Sequence, residues 1–299
     1  MGKKLDKEYE ASLKSIETEN RIDQWFYRPI GFRIAKMLCS TAVTPNMVTI
    51  FSIFVGAAAG PLFYYDNIYL IITGIVCLIF ANILDCVDGQ LARLTGIKSK
   101  TGRILDGIAG DIWFILIYVF LALRLNHEYG TWIFFIPATI SGISHLIQAN
   151  ITDYYKTVHL FFISEEKGSE FQRLSEIREQ YKQMKPGIGK AMFFLYTGYT
   201  QFQELVTPKL QNFIIKLHDT YDNGHIPDFM RHEFCRQSRQ LMKTDIDYMT
   251  FNGRTIVLFL AVLTGYVWIY FIYEIIILNI VLLLSIYKHE EICSGFTGE

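Results

Sequence analysis

Apolar and polar positions are distributed along this chain in long blocks, not in the short alternations of a soluble fold. Residues 46–65, 67–84, 107–123 and 131–149 are apolar runs. Each is about long enough to cross a hydrocarbon core of roughly 30 Å at 1.5 Å per helical residue. A further run from Thr255 to Tyr287 is broken only by Glu274 and Asn279. It is too long for one crossing, so the pattern predicts two helices with a tight turn near Glu274. The chain therefore reads as an all-α integral membrane protein of about six transmembrane helices.

The polar segments fill in the remainder. Residues 1–26 have helix-period charge and no apolar run long enough for a signal-peptide core, which predicts a solvated N-terminal helix. Residues 27–43 place Arg28, Arg33 and Lys36 among apolar residues at helical spacing. That suits an interfacial helix, with an amphipathic helix packed on protein as the competing reading. Residues 158–249 form a charged, helical insertion, interrupted at Pro186-Gly187, Pro208 and Asp222-Asn223-Gly224. The expected organisation is 1–43 cytoplasmic and interfacial helices, 44–157 a four-span core, 158–249 the insertion, and 250–299 the last two spans and tail.

Basic residues cluster before the first span and, as Arg93, Lys98, Lys100 and Arg103, between the second and third. The first-to-second connection carries only Asp66. Basic loops stay cytoplasmic, which predicts a cytoplasmic N-terminus and a cytoplasmic 93–103 loop, in the inner membrane for a bacterial chain. Composition narrows the classes further. Hydrophobic residues make up 51% and charged residues 19%, with a net charge of -1. Disorder needs the opposite balance, and a nucleic-acid binder is normally strongly basic. Five scattered cysteines without a CxxC pair argue against a disulfide framework or a zinc site.

The chemistry lies between Asp85 and Asp111. Asp85 and Asp88 stand one turn apart on one helix face at the end of the second run; Asp106 and Asp111 open the third. An aspartate deep in a membrane helix costs roughly 2.5–3.5 kcal/mol, so four uncompensated ones would cost on the order of 10 kcal/mol. A divalent cation supplies the counter-charge, and a carboxylate cage suits Mg²⁺ or Mn²⁺. For any single aspartate, helix capping or pairing with Arg93 or Arg103 is an equal alternative. The set reads D-x2-D-G-x2-A-R-x8-G-x3-D through Asp85, Asp88, Gly89, Ala92, Arg93, Gly102 and Asp106. Seven specified residues make coincidence negligible.

This stretch resembles the signature of the CDP-alcohol phosphotransferase (CDP-alcohol phosphatidyltransferase) family, as does the upstream Pro45-Asn46 followed by Thr49. The resemblance implies a six-helix membrane transferase, commonly a homodimer, that displaces CMP from a CDP-linked donor with an alcohol hydroxyl in phospholipid synthesis. It implies a two-metal site on Asp85, Asp88, Asp106 and Asp111, with Asp111 as catalytic base. Gly89, Arg93, Ser99, Asn46 and Thr49 would contact the donor. The expected donor is a CDP-activated lipid and the acceptor an alcohol of the inositol, inositol phosphate or glycerol phosphate class. A CDP-headgroup passed to a lipid alcohol, or a catalytically impaired nucleotide- or lipid-binding homologue, are the alternatives.

One departure bears on the base. The family pattern ends in D-x3-D, but the residue four after Asp106 is Gly110, and the aspartate follows at Asp111. On a regular helix Asp111 lies about 140° from Asp106. A one-residue π-bulge across Gly107–Gly110 would turn it back, and that bulge is the expectation. His145, Gln148, Asn150, Asp153 and Lys156 form a weaker polar set on and after the fourth run, suited equally to a pocket or to interhelical hydrogen bonds.

Overall fold

A computed structural model describes residues 2–13, 15, 18–97, 100–164, 168, 171–221 and 226–297. All regular elements among them are helical. Among the described residues, five helical stretches are long and apolar enough to cross a membrane: Pro45–Tyr64, Ile68–Thr95, Leu105–Tyr129, Asp228–Thr264 and Trp268–Thr297. The chain is an integral membrane protein. The expected crossing at 131–149 falls in a helix of similar length, Phe135–Ile163, that is not among these five. Ser141, Ser144, His145, Gln148 and Asn150 interrupt its hydropathy, and all are buried. A helix that turns its polar residues inward loses the compositional signal of a span.

Contacts divide the chain into two compact units, residues 1–146 with 251–277, and 147–250 with 278–299. In the first unit α1 (Gly2–Ser12), α2 (Arg28–Leu38) and α3 (Pro45–Ala57) all pack on α5 (Ile68–Thr95). The short α4 (Ala59–Tyr64) continues the first span and packs with α6 (Lys100–Tyr129). Thr44 caps α3, its hydroxyl accepting from the Met47 N–H, and Pro45 sits at the first helical position. Asn67 caps α5 in the same way, accepting from the N–H groups of Tyr69 and Leu70. Phe63, Leu78, Trp113, Ile117, Leu121 and Tyr270 form the core of this unit. Phe51, Phe54, Tyr69, Ile72 and Val76 point outward, as lipid-facing side chains do.

Two expectations about backbone geometry are corrected. α6 is α-helical without interruption from Lys100 to Tyr129, so there is no π-bulge across Gly107–Gly110. π-helical turns occur elsewhere, at Asp23–Tyr27, Leu241–Asp245 and Tyr273–Ile277. The turn between the last two spans lies at Gly265, not near Glu274. It joins α13 (Phe251–Thr264) to α14 (Trp268–Ile272). Gly265 has φ +81, a conformation that a side chain disfavours. Glu274 instead sits buried within a helical turn and pairs with Arg254. Its charge marks a partner inside the unit and not an exit to water.

In the second unit the residues of the 158–249 segment pack together with the C-terminal helix α15 (Leu278–Thr297). The remaining helices are α7 (Phe135–Ile163), α8 (Leu174–Gln183), α9 (Ile188–Val206), α10 (Pro208–Thr220), α11 (Asp228–Gln240) and α12 (Ile246–Met249). Phe162, Phe213 and Phe234 stack in its core. The Glu290 carboxylate accepts the N–H groups of Lys209 and Leu210 at the start of α10. A carboxylate at a helix N-terminus satisfies orphan donors and suits the helix dipole.

Candidate active site

α5 runs well past its apolar stretch and carries Asp85, Asp88, Gly89 and Arg93 on its last turns. Asp106 stands on the opening turns of α6. The carboxylates of Asp85, Asp88 and Asp106 converge, one oxygen of each lying within 4.8 Å of the others. Asp88 is buried, Asp85 half-buried and Asp106 exposed, so the group opens to solvent on one side. Three like charges this close repel; at an effective dielectric of about 20 each pair costs about 3.5 kcal/mol. A hard divalent cation converts that repulsion into attraction, and an all-oxygen donor set fits Mg²⁺ or Mn²⁺ in kind. The residues present therefore fit the metal that the motif implies.

Thr49 sits in the site, though its contact is with a carboxylate. Its buried hydroxyl donates to Asp88 Oδ2 at 2.5 Å, joining α3 to the acidic group on α5. This fixes the orientation of one oxygen of Asp88. Asn46 is exposed on the first turn of α3. Gly89 gives room to Arg93: a Cβ placed there would stand 3.1 Å from Arg93 Nη2. The guanidinium thus lies over the glycine that follows Asp88. Ser99 lies outside the described residues. Tyr27, in the π-helical turn ahead of α2, is buried, and burial with Asp23 nearby pushes its phenol up to about 12. It keeps its proton at neutral pH.

Asp111 is not part of the three-carboxylate group among the described residues. With α6 regular, the helical rotation turns it toward α7. Its Oδ1 lies 3.6 Å from Nε2 of the buried His145, just beyond hydrogen-bond reach. Nδ1 of the same ring is 2.9 Å from the Tyr118 hydroxyl. A neutral ring with its proton on Nε2 satisfies both neighbours, accepting from Tyr118 and facing the carboxylate. Asp111 retains a side-chain exposure of 21%, enough to meet a solute. The pairing with His145 was legible only as a polar residue on the fourth apolar run. Arg254 and Asn252, at the start of α13, go to other partners: Arg254 to Glu274, and Asn252 Nδ2 to Asp23 Oδ1 at 2.9 Å.

A second group with ligand-type side chains, His289, Glu290 and Cys293, lies on α15. Glu290 already caps α10, and the His289 ring stacks on Tyr155 at 4.0 Å between centroids. Those contacts account for it as packing within the second unit.

Residues 42–164 match the CDP-alcohol phosphatidyltransferase family. A relative, the archaetidylinositol phosphate synthase of Pyrococcus horikoshii, is 43% identical over 74 residues. That stretch is 25% of this chain and 38% of the relative, so the chain spans little more than a third of that protein's length. The matched family region takes in α3 to α7 and with them every carboxylate of the acidic group. Over residues 42–164, less than half of its length, this chain is similar to CDP-alcohol phosphatidyltransferases.

Proposed function

We propose that this protein moves a substituted phosphoryl group from a CDP-linked lipid to an alcohol hydroxyl, with release of CMP, in the synthesis of a phospholipid headgroup. The observation that carries the reading is the convergence of Asp85, Asp88 and Asp106 from two helices, within the family region. The name of the Pyrococcus relative supports an inositol phosphate as the acceptor class. Mg²⁺ or Mn²⁺, held by those three carboxylates, would neutralise donor pyrophosphate charge and stabilise the leaving phosphate.

The chain's own residues divide the remaining work. Arg93, its guanidinium over Gly89, binds a donor phosphate oxygen with paired N–H groups, as a planar fork does best. Thr49 keeps Asp88 in register. Asn46 borders the donor. The acceptor oxygen bonds to the β-phosphorus while the bond from that phosphorus to the bridging oxygen breaks. CMP departs with the bonding pair, and the hydroxyl proton passes to the carboxylate of Asp111. His145, fixed by Tyr118, faces the Asp111 carboxylate with Nε2 from 3.6 Å. This replaces the metal-bound role first expected for Asp111. The basic residues before α3 and those at Arg93, Lys98, Lys100 and Arg103 support a site open to the cytoplasmic side. The family resemblance supports a homodimer, which light scattering of the detergent-solubilised protein measures.

The test is CMP release by purified protein with Mn²⁺, CDP-linked lipid, and inositol, inositol phosphate or glycerol phosphate, with the product identified by mass spectrometry. Donor binding without turnover on any acceptor overturns the transferase reading. Asp111→Asn is expected to lower turnover by about 10²–10⁴, the usual contribution of a general base, while leaving donor binding intact. Full activity in that variant removes Asp111 as the base.

A further inference from the structure

The residues ahead of the first span carry no motif and lie outside the family match, yet they close on the acidic site. α1 packs on α5 and ends at Ser12. The Ser12 carbonyl accepts a hydrogen bond from Arg93 Nε. The Ser12 hydroxyl accepts from Gln90 Nε2 at 3.1 Å. α1 is itself held on α2, where Tyr9 meets Phe32 edge-on with ring centroids 5.3 Å apart and Lys36 pairs with Glu8. Beyond Ser12 the chain stays buried at Ser15, Thr18, Glu19 and Asn20. Glu19 takes Arg28 through both oxygens, at 2.9 and 2.8 Å. A solvated tail does not bury a run of polar side chains and hold one of them, Glu19, against an arginine of α2.

We infer that the N-terminal residues 8–13 and 18–28 are part of the donor site: by holding Arg93 at Nε they present the two Nη groups over Gly89, and so set affinity for the donor diphosphate. An arginine side chain left free must give up rotamer freedom when it binds; one ordered in advance does not. A phosphate gripped end-on takes one N–H from each Nη and none from Nε, so the Ser12 contact does not compete with it. Ser12 is a positioning residue here, acting through Arg93. This inference rests on the reading of the acidic site as a CDP-donor site.

Calorimetric binding of CDP in the presence of Mn²⁺, with steady-state kinetics on the full-length protein, tests it. Ser12→Pro distorts the last turn of α1 and displaces the carbonyl. The expected result is about a tenfold rise in Kd for CDP and in donor KM, as for loss of one charge-assisted contact, with kcat at saturating donor within about threefold. A merely structural role would lower folded yield and kcat and leave KM where it was. Where Ser12→Pro fails to fold, Tyr9→Ala loosens α1 from Phe32 without touching Arg93, and a rise in Kd of about threefold is expected. Unchanged or tighter CDP binding in a folded variant overturns the inference alone. Failure of the wild-type protein to bind CDP overturns the donor reading and this inference with it.

Discussion

The first unit holds two groups of charged side chains that answer the same problem in opposite ways. Arg254 and Glu274 are almost wholly buried, at 2% and 0% side-chain exposure, and pair with each other beside the stacked rings of Tyr118 and Tyr270. Asp85, Asp88 and Asp106 bring three like charges together at the solvent-facing end of α5 and α6. The first group is complete as it stands: its charges cancel, and the fold alone accounts for it. The second is incomplete, because nothing about folding rewards three adjacent carboxylates. A membrane protein tolerates a buried charge that is paired or one that does something. The difference separates a structural ion pair from a ligand site by sign, before any chemistry is invoked.

The largest expected effect breaks the incomplete group. Asp88→Asn or Asp106→Asn is expected to lower CMP release about a thousandfold, the equivalent of the several kcal/mol that a metal contributes to charge stabilisation. In metal-free buffer the same variants are expected to unfold at the same temperature or a higher one, since each removes a repulsion. A drop in metal-free stability together with retained turnover would turn the acidic group into a structural one and erase the contrast.

Next in size is the complete group. Glu274→Gln or Arg254→Leu leaves a lone charge in a buried site, and breaking such a pair typically costs 3–5 kcal/mol. Replacing both residues by apolar ones, Arg254→Met with Glu274→Leu, is expected to recover most of that loss. Turnover per folded molecule should change little in the double variant. Thermal unfolding in detergent gives the cycle directly, and a double variant as unstable as the worse single one would show that the pair does more than neutralise itself.

The same contrast explains what could be read from the residues alone. The acidic group was legible because its members lie on two helices joined by a short loop, with spacing that regular helical geometry converts into a common face. The ion pair was not, because Arg254 and Glu274 meet only once α13 and α14 fold back on each other at Gly265. Glu274 in an apolar run looked like a turn, and the turn itself was marked by a glycine with no charged residue beside it. Asp111 lies where a regular helix puts it: α6 stays regular and the carboxylate faces His145. What failed was the inference that backbone must bend to restore a family pattern, when a residue on α7 supplied a partner instead. The crossing at 131–149 was legible as a helix, but burial of its polar residues makes its span status invisible to composition.

The smallest effect sharpens the comparison most, because it adjusts the acidic group without removing a charge. Thr49 has one hydroxyl proton and two acceptors near it, the Pro45 carbonyl at 3.1 Å and Asp88 Oδ2 at 2.5 Å. The ionised carboxylate is the stronger acceptor and takes it. Thr49→Val keeps the shape and deletes the proton, leaving Asp88 freer to rotate and less well solvated. Outer partners of metal ligands typically contribute 10–100-fold in metal affinity, so the Mn²⁺ concentration for half-maximal activity should rise by about that factor. At saturating Mn²⁺ the turnover should return toward wild type, and Thr49→Ser, which restores the donor, should behave as wild type throughout. No such rescue by metal is available to the Arg254 and Glu274 variants, whose defect is folding. If added Mn²⁺ leaves Thr49→Val unchanged, the hydroxyl joins α3 to α5 as a packing contact, and the Asp88 orientation it enforces has no part in gripping a cation.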